Sequence, residues 1–206
     1  MKYLSLLFFL LLFSCGNKET VLLPKSNCTI VKNVQDHSPI YIFFRVNGKD
    51  TLVEVNRKNE IISTNWIFNI DKRLPIRLVI PEVMKLQEKK RNEKAHKNEA
   101  AQNYYSYADS IHRNLAFVPF TNVYYKLVKP KSGVIVFFTK NNDILMNDSV
   151  IKREQLQNYL GKLSSDKSNK FQFCFAKDLP FGSYVQDKIF ILTLNGAGVS
   201  DEEFVY

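Results

Sequence analysis

The hydrophobic pattern of the chain is most regular in its last third, where it predicts two strands joined by a tight turn. The run 133–139 is dense in β-branched and aromatic side chains, and a shorter apolar run follows at 144–146. Between them, residues 140–143 are polar, and the Asn and Asp among them tolerate left-handed backbone and bond to their own chain. We therefore expect a strand, a turn and a second strand.

A helix, a strand and a second helix are predicted downstream of this hairpin. Leucines recur at spacings of four and three within 152–163, which is one face of a helix, whereas phenylalanines alternate within 171–175, which is the strand period. The segment 180–196 begins at Pro and ends at Gly, as helices commonly do. Its apolar stretch 189–194 also fits a buried strand, because short apolar runs are ambiguous by period.

The first half of the chain predicts a second hairpin and two further strands. Residues 40–46 and 51–55 are strand-like and are joined at Asn47-Gly48, a strong hairpin signal. Apolar side chains alternate within 66–70, which predicts a strand, although this segment could also end a short helix. Residues 75–80 are expected to form another short strand.

The stretch 81–115 is predicted to be mainly helical. Residues 87–99 are almost wholly charged or amide, as in a solvated connecting helix. Beyond them the i, i+3, i+4, i+7 pattern predicts an amphipathic helix docked on the core. A tyrosine-rich face of this kind could bind a glycan, but core packing is its commoner use. The residues of the face are Ala101, Tyr104, Tyr105, Ala108, Ile111, His112 and Leu115.

The N-terminus has the features of a bacterial lipoprotein signal. Residues 3–13 are almost continuously apolar but too few to span a bilayer, which takes about 20 residues. Leu12-Phe13-Ser14-Cys15 has the form of a lipobox, so we expect cleavage before Cys15 and diacylation of its thiol. The alternative is a soluble secreted protein. Because no Asp follows the Cys, the expected location is the outer membrane of a Gram-negative cell envelope.

These features predict an α+β fold, a small sheet packed by helices, ending in a C-terminal β-β-α-β-α unit. We expect a signal peptide at 1–14, a lipidated tether at 15–38, an N-terminal α+β region with a long charged helix at 39–130, and a C-terminal domain at 131–206 that folds on its own. The N-terminal hairpin is faintly similar to the C-terminal one. The first half is therefore also a candidate degenerate tandem copy of the second.

Composition favours a binding protein over an enzyme. The formal net charge of +9 suits anionic lipid or acidic cell-wall polymers, and export makes nucleic acid an implausible partner. No nucleophile elbow, phosphate-binding glycine loop, zinc pair or EF-hand is present, and Asp178 has no partner carboxylate that would make it a general acid. We therefore expect no catalytic site, cofactor or metal. Cys28 and Cys174 could pair as a disulfide or remain free.

Short motifs in the last third resemble the periplasmic domain of the ExbD/TolR family, whose members belong to proton-driven motors of the cell envelope. The family has an Ala-Asp strand ending, a Pro-Tyr/Phe-Gly turn and a helix that stops at Ala-Gly-Ile/Val. Here Ala176-Lys177-Asp178, Pro180-Phe181-Gly182 and Ala197-Gly198-Val199 stand at those places. Asn147-Asp148 stands where the family has Asn-Gly.

The resemblance implies a lipid-anchored envelope interaction module related to biopolymer transport proteins. It does not extend to proton transfer, because residues 3–14 contain no Asp or Glu. Relatives dimerise and contact peptidoglycan or a partner protein, so those are the implied partners, together with the membrane. The alternative function is an outer-membrane accessory lipoprotein that binds glycan or a transporter without a motor link.

The end of the chain is the predicted partner-binding site. Phe204, Val205 and Tyr206 have strand composition, and the resemblance places a strand here. The segment looks too short to pair well inside its own sheet. We therefore expect it to form an edge that adds to a partner's sheet through main-chain hydrogen bonds.

Overall fold

Two mixed β-sheets and three helices make up the described part of the chain, which is a mixed α/β structure. The signal sequence and Cys15 lie outside the described residues, as do Asp148 and the Ala197-Gly198 pair. The structure, a computed structural model, describes residues 20–95, 97–147, 149–163, 171–194 and 199–206.

The first sheet is built from the N-terminal half. Its strands run in the order β1-β5-β4-β2-β3, and β6 also pairs with β5. The hairpin β2-β3 is antiparallel, whereas β2 pairs with β4 and β4 with β5 in parallel. The elements are β1 (Lys25–Ser26), β2 (His37–Asn47), β3 (Asp50–Asn56), β4 (Asn65–Ile70), α1 (Ile76–Asn92), β5 (Asn103–Asp109) and β6 (Asn114–Pro119).

The second sheet is built from the C-terminal half, in the order β10-β9-β8-β11-β12-β7. The hairpin β8-β9 is antiparallel, and β8, β11, β12 and β7 are parallel neighbours. The elements are β7 (Tyr124–Lys126), β8 (Val134–Phe138), β9 (Ile144–Met146), β10 (Ser149–Ile151), α2 (Arg153–Leu163), β11 (Phe171–Phe175), α3 (Phe181–Thr193) and β12 (Val199–Val205).

The predicted hairpins and the C-terminal order of strands and helices are present. In the β2-β3 hairpin Asn47 pairs with Asp50, so the two loop residues are Gly48 and Lys49. Gly48 has a φ of 62°, as the first loop position of a type II′ turn requires. The stretch 189–194 continues helix α3 and is not a strand. The short strand β10 is an addition that the pattern did not predict.

Two predictions for the middle of the chain are wrong. Residues 75–80 begin α1 instead of forming a strand, with Pro75 as the N-cap. The predicted amphipathic helix after Ala101 is the β5-β6 hairpin, so its tyrosine-rich helical face does not exist. Tyr105 and Tyr107 also fit the strand period, and they are fully buried once β5 pairs with β4 and β6. Burial in a sheet thus outweighed the helical spacing that Tyr105 also satisfies.

The expected tether is in part structured. Strand β1 pairs with β5, and Val31 forms a bridge to Phe117. The Lys72 amide donates to the carbonyl of Leu22 over 2.8 Å. Residues 20–38 therefore pack along the first sheet instead of hanging free.

One hydrophobic core runs through both halves. It joins side chains of both sheets and of all three described helices in one contiguous cluster. Strand β7 also lies upstream of the expected boundary at 131, although it pairs with β12. The C-terminal sheet therefore begins before that boundary and shares its core with the N-terminal half.

The halves also share backbone hydrogen bonds where α1 and α3 begin. The Ile76 amide donates to the Leu179 carbonyl over 3.0 Å, and the Phe181 amide donates to the Leu74 carbonyl over 2.8 Å. A second reciprocal pair of hydrogen bonds lies beside the first. The Arg77 amide donates to the Lys177 carbonyl over 2.8 Å, and the Gly182 amide donates to the Lys72 carbonyl over 3.0 Å.

Candidate functional site

The predicted partner-binding residues do not lie on a free sheet edge. Strand β12 runs between β11 and β7, and Glu202 to Phe204 pair with β7. Phe204 and Val205 are buried, and Val205 belongs to the core cluster. The expectation that this segment is too short to pair inside its own sheet is wrong, because two neighbouring parallel strands supply its hydrogen-bond partners.

An apolar row crosses the same sheet on the face turned away from the core. Cross-strand register places its members directly beside one another on five successive strands. Side chains of paired residues lie on one face of a sheet, so the row is a continuous apolar stripe. Its members in order are Val150, Leu145, Phe137, Cys174 and Phe204.

The row becomes more buried from one end to the other. Val150 is 70% exposed, Leu145 and Phe137 are half-buried, and Cys174 and Phe204 are buried. The next residue in register is Lys126 on β7, which is exposed and ends the apolar stripe. The accessible part of the row therefore lies on β8, β9 and β10.

Tyr206 forms one wall of a groove over this accessible part. The groove has a volume of about 410 Å³. The ring of Tyr206 lies 5.2 Å from that of Phe137, centre to centre. Of the three predicted partner-binding residues, Tyr206 is therefore the one that the structure places at an accessible apolar surface. The lining residues are Lys129, Gly133, Ile135, Phe137, Leu145, Asn147 and Tyr206.

Two titratable groups, Cys174 in the row and Tyr206 in the groove wall, are held in their neutral forms. Burial raises the pKa of the Cys174 thiol to about 12, and burial also raises the pKa of Tyr206 to about 12. Both groups are therefore protonated at neutral pH, and the thiolate that a nucleophile would need is not populated. Cys28 and Cys174 are both free thiols, so they do not form a disulfide with each other.

The corresponding row of the first sheet is polar. Tyr41 on β2 pairs with Asn56 on one side and Asn69 on the other. Ser106 on β5 donates to the side-chain oxygen of Asn69 over 2.8 Å. The exposed apolar stripe is thus a property of the C-terminal sheet and is not required by the strand order that the two sheets have in common.

A buried polar chain connects the two halves beneath the sheets. The hydroxyls of Tyr105 and Tyr125 are 2.7 Å apart, and those of Tyr125 and Tyr184 are 3.1 Å apart. Tyr184 donates to Glu203 over 2.5 Å, and the same carboxylate accepts from Lys188. Burial raises the pKa of all three tyrosines well above the usual value, so they act as neutral hydrogen-bonding groups.

The sequence contained a signal for the apolar row but none for the tyrosine chain. Every residue of strand β8 is apolar, at odd and even positions alike, which predicts apolar side chains on both faces of the sheet. Tyr105, Tyr125, Tyr184 and Glu203 are far apart in sequence, and no spacing rule connects them.

Asp178 is about half exposed and pairs with Arg77 over 2.7 Å, as an ordinary surface ion pair does. Among the described residues no three metal-ligating side chains cluster, and none of their helices has the length and apolar character needed to cross a bilayer. No protein-family model, curated protein or solved structure matches the chain.

Proposed function

We propose that the chain is a non-enzymatic, lipid-anchored interaction module of the bacterial cell envelope, built from two units that resemble the ExbD/TolR periplasmic domain. Its C-terminal sheet binds an extended apolar segment of an envelope protein. The observation that carries the binding proposal is the apolar row, which stays accessible at Leu145 and Phe137 beside the Tyr206 groove. An apolar stripe of this kind at a protein surface marks an interaction site.

The arrangement of strands supports the tandem-copy proposal. The order β3-β2-β4-β5 in the first sheet corresponds to β9-β8-β11-β12 in the second, with the same parallel and antiparallel relationships. Helix α1 connects the two parallel strands β4 and β5, and α3 connects β11 and β12 in the same way. Corresponding elements thus follow one another in the same order along the chain.

Sequence spacing also supports the tandem-copy proposal, in the segments where β4 leads into α1 and β11 leads into α3. Phe68, Lys72, Leu74 and Pro75 recur as Phe173, Lys177, Leu179 and Pro180, all at the same interval. Strand register then aligns Ile40 with Val136, since the first pairs with Phe68 and the second with Phe173. A direct comparison of the two apolar runs would align residues 40–44 with 134–138, which is two positions earlier.

The two proposed units lie in one chain, whereas the ExbD/TolR domains that they resemble dimerise between separate chains. The reciprocal hydrogen bonds between the starts of α1 and α3 join the units within the molecule. In this proposal the chain supplies both halves of a dimer and needs no second copy for stability.

Charge around the apolar row defines the kind of segment that it binds. Lys129 lines the groove, whereas Lys126, at the buried end of the row, already pairs with Glu202 over 3.7 Å. Apolar side chains would pack along Leu145 and Phe137, and a carboxylate would be favoured near Lys129. The proposed ligand is therefore an extended apolar segment that carries an acidic residue beside Lys129.

Photo-crosslinking in the native envelope tests this function. A photoreactive amino acid at position 145 should give an adduct with another protein, and the same amino acid at Asn56, the matching position of the polar row, should not. Leu145→Asp should weaken capture of that partner while the chain still melts cooperatively, and because the side chain is half-buried Tm should fall only by a few degrees.

Three results would overturn the proposed site. They are no adduct from position 145, adducts of equal yield from positions 145 and 56, and unchanged capture by Leu145→Asp. An adduct with twice the mass of the chain would identify a second copy as the occupant and would contradict the monomeric arrangement.

A further inference from the structure

A groove lined by amides, cations and one tyrosine lies at the C-terminal end of α1. Its volume is about 230 Å³. The loop before β5 and the turn before β7 form its other walls, so it is separate from the groove at Tyr206. We call it the amide groove, and the residues that matter for its chemistry are Gln87, Lys90, Arg91, Asn103, Asn122 and Tyr124.

Two buried amides in this groove each keep one polar atom without a protein partner in the described part of the chain. Gln87 is 2% exposed, and its Nε2 donates to the carbonyls of Phe120 and Val123 over 3.2 and 3.3 Å. Asn103 is 4% exposed, and its Oδ1 accepts from Lys90 over 3.1 Å. Oε1 of Gln87 and Nδ2 of Asn103 are the two atoms left for a ligand to bind. Together they offer an acceptor and a donor, and a sugar hydroxyl can use both.

Tyr124 provides an aromatic wall that is held in place. Its side chain is 50% exposed, and the Arg91 guanidinium lies 4.3 Å from the ring centre. Arg91 is itself held by Nη2, which donates to the carbonyls of Thr121 and Val123 over 2.9 and 3.1 Å. Tyr124 and Arg91 also line a second hollow of about 280 Å³. The pair therefore stands between two adjacent hollows, which suits a ligand of linked rings.

The charge of the two hollows favours an anion. Four cations line them against two carboxylates. Lys97 pairs with Glu99, which is 82% exposed, and Lys126 pairs with Glu202 outside the hollows, so the positive charge that faces a ligand lies at Lys90 and Arg91. Burial lowers the pKa of Lys90 to about 8, so its ammonium form still predominates at pH 7. A cleft lined mainly by one sign of charge raises the local concentration of ligands of the other sign.

We propose that the amide groove binds an acidic saccharide, a short oligomer that carries carboxylate groups. Gln87 and Asn103 bind its hydroxyls, one ring lies against Tyr124, and a carboxylate is held near Arg91. This site goes beyond the proposed function and uses none of the residues of the apolar row.

Calorimetric titration of the full chain in detergent micelles tests the proposal. The probes are a galacturonate trimer, which is acidic, and an N-acetylglucosamine trimer, which is neutral. The acidic trimer should bind more tightly. Tyr124→Ala should weaken its binding about tenfold or more, because the ring contact is lost. Tyr159→Ala, which removes a tyrosine that is 41% exposed on α2, should leave binding unchanged.

Tyr124→Phe keeps the ring and should bind like the unchanged chain. If Tyr124→Ala lowers Tm, Asn122→Ala replaces it, because Asn122 is exposed and should lose about threefold in affinity. The proposal is overturned if neither trimer binds at about 10 mM. It is equally overturned if both bind alike, or if Tyr124→Ala, or the Asn122→Ala that replaces it, retains full affinity for the acidic trimer. Crosslinking at position 145 is unaffected by any of these outcomes.

Discussion

Pro75 and Pro180 face each other across the centre of the molecule in an isolated antiparallel bridge. Each is the N-cap of a helix, with nearly the same extended backbone conformation. Because proline has no amide hydrogen, the bonds of this bridge come from the residues that follow it, which donate to the opposite half. The first amides of each helix are therefore satisfied by carbonyls that precede the other helix.

This arrangement predicts that the C-terminal third does not fold alone. A fragment 132–206 lacks strand β7, the carbonyls that accept from the start of α3, and Tyr105 of the buried chain. Circular dichroism should show no cooperative thermal transition for the fragment and a single one for the full chain. Mixing fragments 20–122 and 123–206 should restore the transition. A cooperative melt of 132–206 by itself would contradict the shared core.

Tyr184→Phe should lower the free energy of unfolding by about 1–3 kcal/mol, because it removes the hydroxyl between Tyr125 and Glu203 and leaves buried polar groups with fewer partners. Chemical denaturation measures the change. Tyr159→Phe is the matched control, since that side chain is 41% exposed and should change stability by less than about 0.5 kcal/mol. Equal effects of the two substitutions would mean that the buried chain contributes nothing.

Asp187 should make stability depend on pH. Its carboxyl is buried, and one of its oxygens has no hydrogen-bond partner among the described residues. Burial raises its pKa to about 7, although Arg153 opposes the shift. The folded protein therefore holds this proton more tightly than the unfolded chain. The stabilisation is full below the unfolded value of 3.8 and is lost as pH rises through about 7.

Thermal melts from about pH 4 to about pH 8 test this dependence. Asp187→Asn cannot ionise, so its Tm should fall less over this range than the Tm of the unchanged chain. Asp178→Asn is the control, because Asp178 is about half exposed and its pair with Arg77 is a surface one. Parallel curves for Asp187→Asn and the unchanged chain would rule out a titration of Asp187.

The proposed lipid anchor predicts the behaviour of a Cys15→Ala variant. Without the thiol the chain cannot be acylated, so it should take up no labelled fatty acid and should leave the membrane fraction or stay unprocessed. Metabolic labelling with palmitate, followed by fractionation, measures both effects. Cys28→Ala, which changes a half-buried cysteine of the folded part, is the control and should label normally. Normal labelling of Cys15→Ala would remove the basis for the proposed location.

Local chemistry determined the elements that the sequence predicted correctly. The alternation of Phe171, Phe173 and Phe175 sets a strand, and Pro180 starts a helix, because each depends only on backbone period and on the dihedral angles of nearby residues. The hairpin turn was predicted at Asn47-Gly48 for the same reason. The loop is shifted by one residue, to Gly48 and Lys49, because Asn47 pairs with Asp50 and Gly48 takes the positive φ.

Tertiary structure decided everything that depends on which segments become neighbours. Tyr105 satisfies the helical spacing with Ala101 and Ala108 and the strand spacing with Tyr107, and the outcome followed from the burial that β4 and β6 offer. Phe204 had the composition of a free edge, yet strands on both sides enclose it. Pairing partners lie many residues apart, and the free energy of burying a side chain depends on those partners. A local pattern therefore specifies the period of a segment, and long-range packing specifies its place.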